Sequence, residues 1–565
     1  MTANTTSDVS HRCSIYDRVV FSVETSLQNS STTTTFTVAG NVLRGEKKTY
    51  EMKHRSCAQM LYGVMKKNRS RVVQVDAGTG EEETYGEMLD RAVRCALWLR
   101  KQGVKRGDIV AVATHNHLDS FVPCVAAVFI GAIVNPWDAG MNAGHARHFM
   151  SLTEPKVIFA NEQAARVALE AAKAEGVETK TVAFGDCPGT VAFTDVLQGH
   201  SDFEVASFRY EEVTDLRDTS LIMFSSGTTG LPKGVQMSHD MLLRLLENKD
   251  LEFGNMTPLW FSPIFWITGC FLNFMSLASG AKKIVATEFD PQKLCEILVR
   301  YKITWLMLST SMSNRFVRYK DLPSYDLSSL DQIMIGGATL KQESQDALKK
   351  HLPHTSVIQC YGMTELGGLA MIQNSNGASG SCGTVVPNCE LKIVDVQTGG
   401  SLGPNLQGEL CVKTPNVMIG YYKNPTATME ILDEDGWIHT GDLAYYNEDG
   451  EVFIVDRLKE IIKYRGHQIA PTEIEDLLQA HPAVMEAAVV GIPHPTDDDH
   501  PVAFVSKMPN KEVTEEELVT IVEKNFIDAY KLRGGVNFLP SLPHTSSGKV
   551  LRIALKNMAK SMALQ

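Results

Sequence analysis

One stretch of the chain constrains the fold more than any other: an apolar run that leads into a loop of glycine and hydroxyl residues. The run covers residues 221–224, and the loop continues to residue 234. Its glycine, hydroxyl and lysine residues are Ser225, Ser226, Gly227, Thr228, Thr229, Gly230 and Lys233. Glycines let backbone N–H groups approach an anion, hydroxyls add donors, and lysine adds positive charge. The spacing is not that of a Walker A loop, because Pro232 precedes the lysine and Gly234 follows it. The stretch predicts a polyphosphate site after a buried strand.

The rest of the chain alternates between helical and strand-like patterns. Residues 85–102 have helical periodicity, whereas residues 109–112 form a short β-branched run. The apolar run 121–134 is too short to span a bilayer and predicts a buried helix. Apolar runs at 283–286, 305–308 and 333–335 precede polar loops. This alternation is typical of an α/β fold whose strand ends carry ligand-binding loops.

The pattern changes towards the C-terminus. After residue 383, short strands separated by turn signals predict a smaller β-rich lobe, for example at 390–396, 408–413 and 451–455. Helices at 471–480 and 514–525, a strand at 487–490 and an acidic surface stretch at 497–499 then indicate a small α+β domain. We therefore predict a poorly ordered extension at 1–44, a large N-terminal domain of α/β sheets plus the β-rich lobe at 45–457, and a mobile C-terminal domain at 458–565.

Composition excludes several classes of protein. The 565 residues are 44% hydrophobic and 21% charged, which is ordinary for a soluble globular chain and long enough for about three to four domain-sized units. The net charge of −12 argues against a nucleic-acid-binding protein, which would normally be basic. The 11 cysteines contain no C-x-x-C pair and predict free thiols in a reducing compartment.

The two ends of the chain bear on localisation. The first twenty residues lack the apolar segment of a secretory signal, and the last three differ from the peroxisomal S-K-L signal. We expect a cytoplasmic protein without stable membrane insertion, with a peroxisomal location as the second choice.

Five further motifs accompany the loop in a fixed order. They are I-G-G-A at 335–338, Q-C-Y-G-M-T-E at 359–365, G-W-I-H-T-G-D at 436–442, V-D-R-L-K-E-I-I-K at 455–463, and a segment containing S-G-K within 543–552. Together they resemble the adenylate-forming superfamily, which includes acyl-CoA synthetases, 4-coumarate:CoA ligases, beetle luciferases and nonribosomal-peptide adenylation domains. The resemblance covers roughly residues 45–560. Residues 464–471 and 531–536 are most similar to the insect luciferase-like acyl-CoA synthetases, a branch near the plant 4-coumarate ligases.

The resemblance implies that ATP binds along these motifs. The implied nucleotide-binding residues are the loop residues above together with Gly336, Gly337, Ala338, Tyr361, Gly362, Thr364, Asp442, Arg457, Gly466 and Lys549. Tyr361 would lie against adenine, and Asp442 would accept hydrogen bonds from both ribose hydroxyls. The implied catalytic residues are Lys549, Lys233, Thr364, Glu365 and Lys463. Glu365 is a hard oxygen ligand suited to Mg²⁺.

The resemblance also implies two half-reactions in one pocket. Lys549 would stabilise the transition state of adenylation. The C-terminal domain would then rotate about the hinge residue Lys459, withdraw Lys549 and bring Lys463 and Gly466 to the thiol of CoA. His467 stands where relatives usually have an aromatic residue. It either perturbs the tunnel through which CoA would enter, contacts the nucleotide, or is a tolerated planar ring.

The acyl pocket is the part of the resemblance where this chain departs most. Its predicted lining residues are Phe265, Trp266, Thr268 and Met363. Relatives commonly have histidine where this chain has Trp266, which is larger and lacks a hydrogen-bond acceptor. The apolar members favour an uncharged tail, whereas a core-packing role for Trp266 is the alternative.

Three functions fit these residues. The first is an ATP-dependent acyl-CoA synthetase that activates a fatty or aromatic carboxylic acid through an acyl-adenylate, with ATP, Mg²⁺ and CoA as cofactors and no nucleic-acid partner. The second is a luciferase-type monooxygenase that oxidises the adenylate with O₂, and the third is a catalytically weak nucleotide-binding homologue. The sequence leaves acyl chain length, aromatic or aliphatic preference and oligomeric state open.

Overall fold

A computed structural model describes residues 19–20, 36–225, 231–248, 253–465, 467–545 and 549–563. Five residues of the predicted phosphate loop, Ser226, Gly227, Thr228, Thr229 and Gly230, lie outside the described residues, as do Gly466 and most of the predicted extension. Ser547 and Gly548, which precede Lys549, also lie outside them.

Thirty strands occur in the described residues, and we number them along the chain. They are β1 (Val19–Val20), β2 (Phe36–Ala39), β3 (Val42–Gly45), β4 (Val72–Asp76), β5 (Glu82–Thr84), β6 (Ile109–Ala113), β7 (Ile133–Pro136), β8 (Val157–Ala160), β9 (Lys180–Ala183), β10 (Val191–Ala192), β11 (Thr219–Ser225), β12 (Lys233–Ser238), β13 (Pro258–Trp260), β14 (Lys283–Val285), β15 (Trp305–Ser309), β16 (Gln332–Gly336), β17 (Ser356–Met363), β18 (Gly368–Ile372), β19 (Thr384–Val385), β20 (Glu390–Val394), β21 (Ser401–Leu402), β22 (Gly408–Lys413), β23 (Gly420–Tyr421), β24 (Ile438–Tyr446), β25 (Val452–Arg457), β26 (Ile462–Tyr464), β27 (His467–Ile469), β28 (Val484–His494), β29 (Asp498–Lys507) and β30 (Val536–Phe538).

Sixteen α-helices occur in the same described ranges. They are α1 (Cys57–Lys67), α2 (Tyr85–Lys101), α3 (Val122–Phe129), α4 (Ala143–Thr153), α5 (Glu162–Glu175), α6 (Phe193–Gln198), α7 (Asp202–Ser207), α8 (His239–Glu247), α9 (Ile267–Ser279), α10 (Pro291–Tyr301), α11 (Thr310–Val317), α12 (Gln342–His351), α13 (Pro425–Ile431), α14 (Pro471–Gln479), α15 (Glu515–Asn525) and α16 (Arg552–Ala563).

Two large sheets form the α/β part of the molecule. One has the order β10-β9-β8-β6-β7-β11-β12-β23 and is parallel from β10 to β11. The other has the order β19-β18-β17-β16-β15-β13-β14-β4-β5 and is parallel from β17 to β4. Strand β6 is buried along its whole length, as expected of a parallel strand covered on both faces. The predicted α/β class is confirmed.

The β-rich lobe is the third sheet, with the order β1-β2-β3-β20-β22-β24-β25, in which every pairing is antiparallel. Its hairpin β2–β3 covers the last residues of the predicted extension 1–44 and ends at Gly45, which donates a backbone hydrogen bond to the Cys389 carbonyl at 2.9 Å. The end of that extension is thus part of a sheet.

The C-terminal part has its own sheet and core. Strands β27-β26-β29-β28, with β30 beside β29, pack against α14 and α15 around buried residues such as Ile474, Leu518 and Val505. It contacts the rest of the chain through polar groups: Lys341 Nζ lies 2.6 Å from Asp476 Oδ1. This arrangement agrees with the predicted small α+β domain.

Two local expectations need correction. The apolar run 121–134 is helical only over Val122–Phe129, because a turn at Gly131 (φ +68°) then leads into β7. The predicted acidic surface stretch is wrong for Asp497, whose exposure is only 7%.

The ten described cysteines are all free, as predicted, and all of them are buried. In the described part of the chain, no helix has both the length and the apolar character needed to cross a bilayer.

Candidate functional site

The predicted phosphate loop begins and ends on neighbouring strands. Ser225, the last residue of β11, pairs with Lys233, the first residue of β12. Lys233 Nζ lies 4.8 Å from the centre of the Tyr421 ring, whose strand β23 is the next neighbour of β12. A cation over an aromatic face is held without being neutralised. The hairpin therefore presents Lys233 where the loop ends.

Asp442 is the buried centre of the site, with 4% exposure. The hydroxyl of Tyr361 donates to Asp442 Oδ2 at 2.5 Å, and Arg457 Nε lies 2.7 Å from Oδ1. Burial and the negative charge of Asp442 raise the pKa of Tyr361 well above its ordinary value, so the hydroxyl stays protonated. Because each carboxylate oxygen has a second lone pair, Asp442 still has acceptor capacity for ribose hydroxyls.

Glu365 forms a second buried carboxylate, in a 3₁₀ turn, Thr364–Leu366, directly after β17. Tyr421 donates to Glu365 Oε1 at 2.8 Å, and burial followed by the charge of Glu365 raises the pKa of Tyr421. Tyr421 thus contacts both Lys233 and Glu365. The donor set around Glu365 fits Mg²⁺, since a carboxylate oxygen beside a phosphate site is the ligand this ion uses.

Two glycines of the predicted nucleotide-binding motifs lie where the protein is closely packed. A Cβ at Gly336 would lie 2.9 Å from Cys360 Sγ, and a Cβ at Gly362 would lie 2.3 Å from the Gly368 carbonyl oxygen. Neither position accepts a side chain without movement of its neighbours. Beyond Gly336 and Gly337, the carbonyl of Ala338 accepts a hydrogen bond from Thr310 Oγ1 at 2.8 Å.

Lys549 reaches this cleft from the C-terminal domain. Its loop is closed by two hydrogen bonds with Thr545: the Thr545 N–H donates to the Lys549 carbonyl at 2.7 Å, and the Lys549 N–H donates to Thr545 Oγ1 at 3.2 Å. The protein mass around the ammonium and the charge of Arg457 lower its pKa to about 8, whereas Asp442 and Glu365 act in the opposite direction. The residue nevertheless remains solvent-exposed. It lies within electrostatic range of both buried carboxylates.

Lys459, the predicted hinge residue, lies between the last strand of the β-rich lobe and the first strand of the C-terminal sheet. Burial, then the charge of Arg457, lowers its pKa to about 8, and Lys233 contributes in the same direction. Four cations therefore lie within electrostatic range of a common region: Lys233, Arg457, Lys459 and Lys549. Such a concentration of positive charge suits a polyphosphate.

The predicted acceptor residues lie apart from this cluster. Lys463 pairs with Gln468 across the β26–β27 hairpin, and its N–H donates to Asp499 Oδ2 at 3.5 Å. Both Lys463 and His467 are exposed. The structure thus joins Lys549, rather than Lys463, to the nucleotide side of the cleft.

The predicted acyl-pocket residues are half-buried. Trp266 is the N-cap of α9, and its ring lies 4.6 Å from that of Phe265, centre to centre. Its indole N–H is buried and has no acceptor among the described residues. Thr268 follows in the first turn of α9, and Met363 ends β17 beside the 3₁₀ turn of Glu365.

Sequence reasoning missed three residues that support Asp442 and Glu365. Tyr421 follows no recognised motif, so its contacts required the structure. Thr440 Oγ1 accepts from the Asp442 N–H at 3.1 Å, and Glu409 Oε1 accepts from the Gly441 N–H at 3.2 Å. Thr440 is inside the G-W-I-H-T-G-D motif, and a hydroxyl two residues before a functional aspartate was an available signal.

Two buried carboxylates beside a group of cations, one of them on a separate domain, are the arrangement expected of a nucleotide-binding enzyme. Comparison with known families agrees: the AMP-binding enzyme family matches residues 63–422, and the AMP-binding enzyme C-terminal domain matches residues 473–549. The chain belongs to the AMP-binding enzyme family, the adenylate-forming superfamily that its motifs resemble.

Its relatives include two kinds of enzyme. Luciferin 4-monooxygenase of Nipponoluciola cruciata is 32% identical over 92% of this chain and 97% of the relative. 4-Coumarate–CoA ligase 4 of Arabidopsis thaliana is 34% identical over 86% and 88%. Among solved structures, a luciferase-like enzyme from the nonluminescent mealworm Zophobas morio has a TM-score of 0.70 at 30% identity, covering 74% of this chain and 99% of that one. ATP-bound MatB from Rhodopseudomonas palustris has a TM-score of 0.79 at 26% identity, covering 89% and 99%.

Proposed function

We propose that the protein is an ATP-dependent acyl-CoA synthetase that activates a fatty or aromatic carboxylic acid through an acyl-adenylate. The observation that carries this proposal is that Lys549, on another domain, lies within electrostatic range of Asp442 and Glu365. An ammonium at this point can stabilise negative charge where the acid carboxylate meets the α-phosphate. The 4-coumarate–CoA ligases among the relatives support an acid–thiol ligase.

In the first half-reaction, a carboxylate oxygen attacks the α-phosphorus and pyrophosphate leaves. Asp442 holds the ribose, while Lys233 faces the phosphates from the end of its loop. Glu365 would hold Mg²⁺, which would supply charge neutralisation on the phosphates. Alignment of two anions requires several fixed positive groups, and the lysines at 233 and 549 together with Arg457 provide them.

In the second half-reaction, the CoA sulfur attacks the acyl carbonyl carbon, the C–O bond to phosphate breaks, and AMP leaves. Lys549 has no role in this step, so the C-terminal domain is free to turn about Lys459. The rotation would exchange Lys549 for the segment around Lys463 and Gly466. The polar contacts between the two parts, such as Lys341 with Asp476, suit a reversible interface because they are partly hydrated.

The acid is proposed to carry an apolar tail. Phe265 and Trp266 form an aromatic pair beside α9, and the unpartnered indole N–H of Trp266 adds one hydrogen-bond donor. A lined pocket of this kind favours an aromatic or aliphatic acid with one acceptor group.

The second candidate is a luciferase-type monooxygenase, because luciferin 4-monooxygenases are among the relatives. It shares the adenylation step and differs in the second, where O₂ replaces CoA. Trp266, in place of the histidine common in relatives, favours the synthetase.

The test is pyrophosphate release by the purified protein with ATP, Mg²⁺ and a panel of fatty, cinnamic and luciferin-like acids, with and without CoA. We expect an acid that gives CoA-dependent turnover and a thioester by mass. Light without CoA would support the monooxygenase instead. ATP binding without pyrophosphate release for any acid would contradict both and favour a weak homologue, with Trp266→His as the next variant.

A further inference from the structure

Two histidines and one aspartate converge at the turn between β28 and β29, outside the nucleotide cleft. His494 Nδ1 lies 3.2 Å from Asp497 Oδ2, and His500 Nε2 lies 2.9 Å from the same oxygen. The two imidazole rings are stacked, with centres 3.9 Å apart and planes within 14°. Because histidine ligates through a lone pair in its ring plane, one ring must turn before both can bind the same ion. Asp497 is buried and both histidines are half-buried. Three donor atoms from a seven-residue segment therefore lie close together.

These separations match those of metal ligands. Two donor atoms that are each about 2.1 Å from a metal ion lie about 3.0 Å apart in adjacent octahedral positions and about 3.4 Å apart in tetrahedral positions. The two nitrogen-to-oxygen distances fall at or near these values, and all three donor atoms lie within 4.8 Å of one another. Imidazole nitrogen with one carboxylate is a donor set for Zn²⁺, Co²⁺, Ni²⁺ or Cu²⁺ rather than for Mg²⁺.

The carboxylate is also oriented for this role. Arg465 Nε donates to Asp497 Oδ1 at 2.7 Å, which leaves Oδ2 directed at the histidines. A hydrogen bond to the second oxygen is the support that metal-binding carboxylates usually have.

We propose that His494, Asp497 and His500 form a binding site for one divalent transition-metal ion of the Zn²⁺ class. The site is joined to the segment before Gly466: the Arg465 N–H donates to the Asp497 carbonyl at 3.2 Å, and the Tyr464 ring lies 5.9 Å from that of His500. Bound metal therefore fixes residues 464–465. Under the proposed function, this segment adjoins the residues that meet CoA.

The test is titration of tag-free, chelator-treated full-length protein with Zn²⁺ by calorimetry, and with Co²⁺ by visible absorption. We expect one equivalent bound, with affinity reduced at least tenfold in His494→Ala and in His500→Ala. His481→Ala is the matched control, because His481 pairs with Glu517 at 3.2 Å in the same domain, without a second histidine at that contact. Its binding should equal that of the wild type. Absence of binding, or binding unchanged in both site variants, overturns the proposal.

A competing cluster provides a further control. Glu409, Cys411 and His439 also place their donor atoms within 4.8 Å of one another. There, Glu409 already accepts from the Gly441 N–H, and His439 Nε2 faces Asp433 at 3.6 Å. Loss of the bound equivalent in Cys411→Ser, rather than in the His494 and His500 variants, would assign the ion to that cluster and overturn the proposal.

Amide hydrogen exchange gives a readout that does not depend on catalysis. We expect Zn²⁺ to slow exchange across residues 463–469 in the wild type but not in His500→Ala. Bound Zn²⁺ with unchanged exchange there would overturn the link to this segment. Because both measurements omit ATP, acid and CoA, failure of the proposed enzyme activity would leave the result unaffected.

Discussion

The two sides of the cleft are built differently. On the large-domain side, the carboxylates of Asp442 and Glu365 are buried and fixed by tyrosine hydroxyls at 2.5 and 2.8 Å. On the small-domain side, Lys549 is exposed and its loop is closed by hydrogen bonds to Thr545. Groups needed throughout a reaction can be locked in place, whereas a group needed in one step must be able to leave. Under the proposed function, the nucleotide binds on the rigid side and the movable side acts in the first half-reaction.

The largest expected effect is that of Lys549→Ala. Loss of a charge that acts on the transition state should slow acid-dependent ATP–pyrophosphate exchange by about 10²–10³-fold. Thioester formation from a synthetic acyl-adenylate and CoA should change less than about threefold, since the account gives Lys549 no part in it. Lys560→Ala, an exposed lysine on α16, should leave both rates unchanged. An equal loss of rate in both half-reactions would contradict the assignment of Lys549 to adenylation alone.

Asp442→Asn should affect both half-reactions because it alters the rigid side. The amide places an N–H group against either the Tyr361 hydroxyl or Arg457, and a hydrogen bond to a charged group contributes about 1.5–3 kcal/mol. We expect the KM for ATP to rise at least about tenfold and the free energy of unfolding to fall by about 1–3 kcal/mol. Asp435→Asn, an exposed acid in the same motif region, is the control. Unchanged ATP affinity would exclude Asp442 from the ribose site.

The pH dependence of adenylation should distinguish Lys549 from Lys459, a second lysine whose pKa is lowered. The protein around its ammonium and the charge of Arg457 lower the Lys549 pKa to about 8, so the ammonium is charged below that pH and loses its proton above it. The kcat/KM of pyrophosphate exchange should therefore fall as the pH rises through about 8. Lys549→Arg keeps its charge and should lose this alkaline decline. Lys459 has a similar pKa of about 8, so Lys459→Arg is the matched control and should retain the decline.

The smallest expected effect concerns the contact between the domains. Lys341 and Asp476 form an ion pair that is partly exposed, and such pairs contribute at most about 1 kcal/mol. Lys341→Ala should slow adenylation by up to about fivefold, with no loss of thioester formation. The charge exchange Lys341→Asp with Asp476→Lys should recover the rate. Lys350→Ala should have no effect, because Lys350 is exposed on α12, the helix whose N-cap is Lys341. No recovery in the double variant would show that the pair does not hold this orientation.

The sequence predicted most of the helices and strands that have a clear hydrophobic pattern. The expected helix 85–102 is observed at Tyr85–Lys101, and the expected strand 408–413 is observed at Gly408–Lys413. Run 121–134 shows the limit, since apolar residues alone do not distinguish a helix followed by a strand from one longer helix. Hairpin β2–β3 was missed because two four-residue strands give too short a pattern to recognise.

Within the candidate site, motifs located Asp442 and Glu365 but not the residues that support them. Tyr421 is 56 residues from Glu365 in sequence, and only the sheet brings them together. Asp497 was assigned to the surface because three consecutive aspartates are usually solvated, whereas Arg465 and two histidines enclose it. Long-range pairings of this kind leave no local pattern in a single sequence. The domain boundaries at 45 and 458 and the catalytic roles remain predictions.

The most direct test of the central claim follows oxygen from the acid to the nucleotide. An acid that supports turnover is labelled with ¹⁸O in its carboxylate and incubated with the protein, ATP, Mg²⁺ and CoA. If the carboxylate attacks the α-phosphorus and the thiol then displaces AMP, the AMP must carry one ¹⁸O atom by mass spectrometry. AMP without label, or ADP as the nucleotide product, would contradict an acyl-adenylate and with it the role proposed for Lys549.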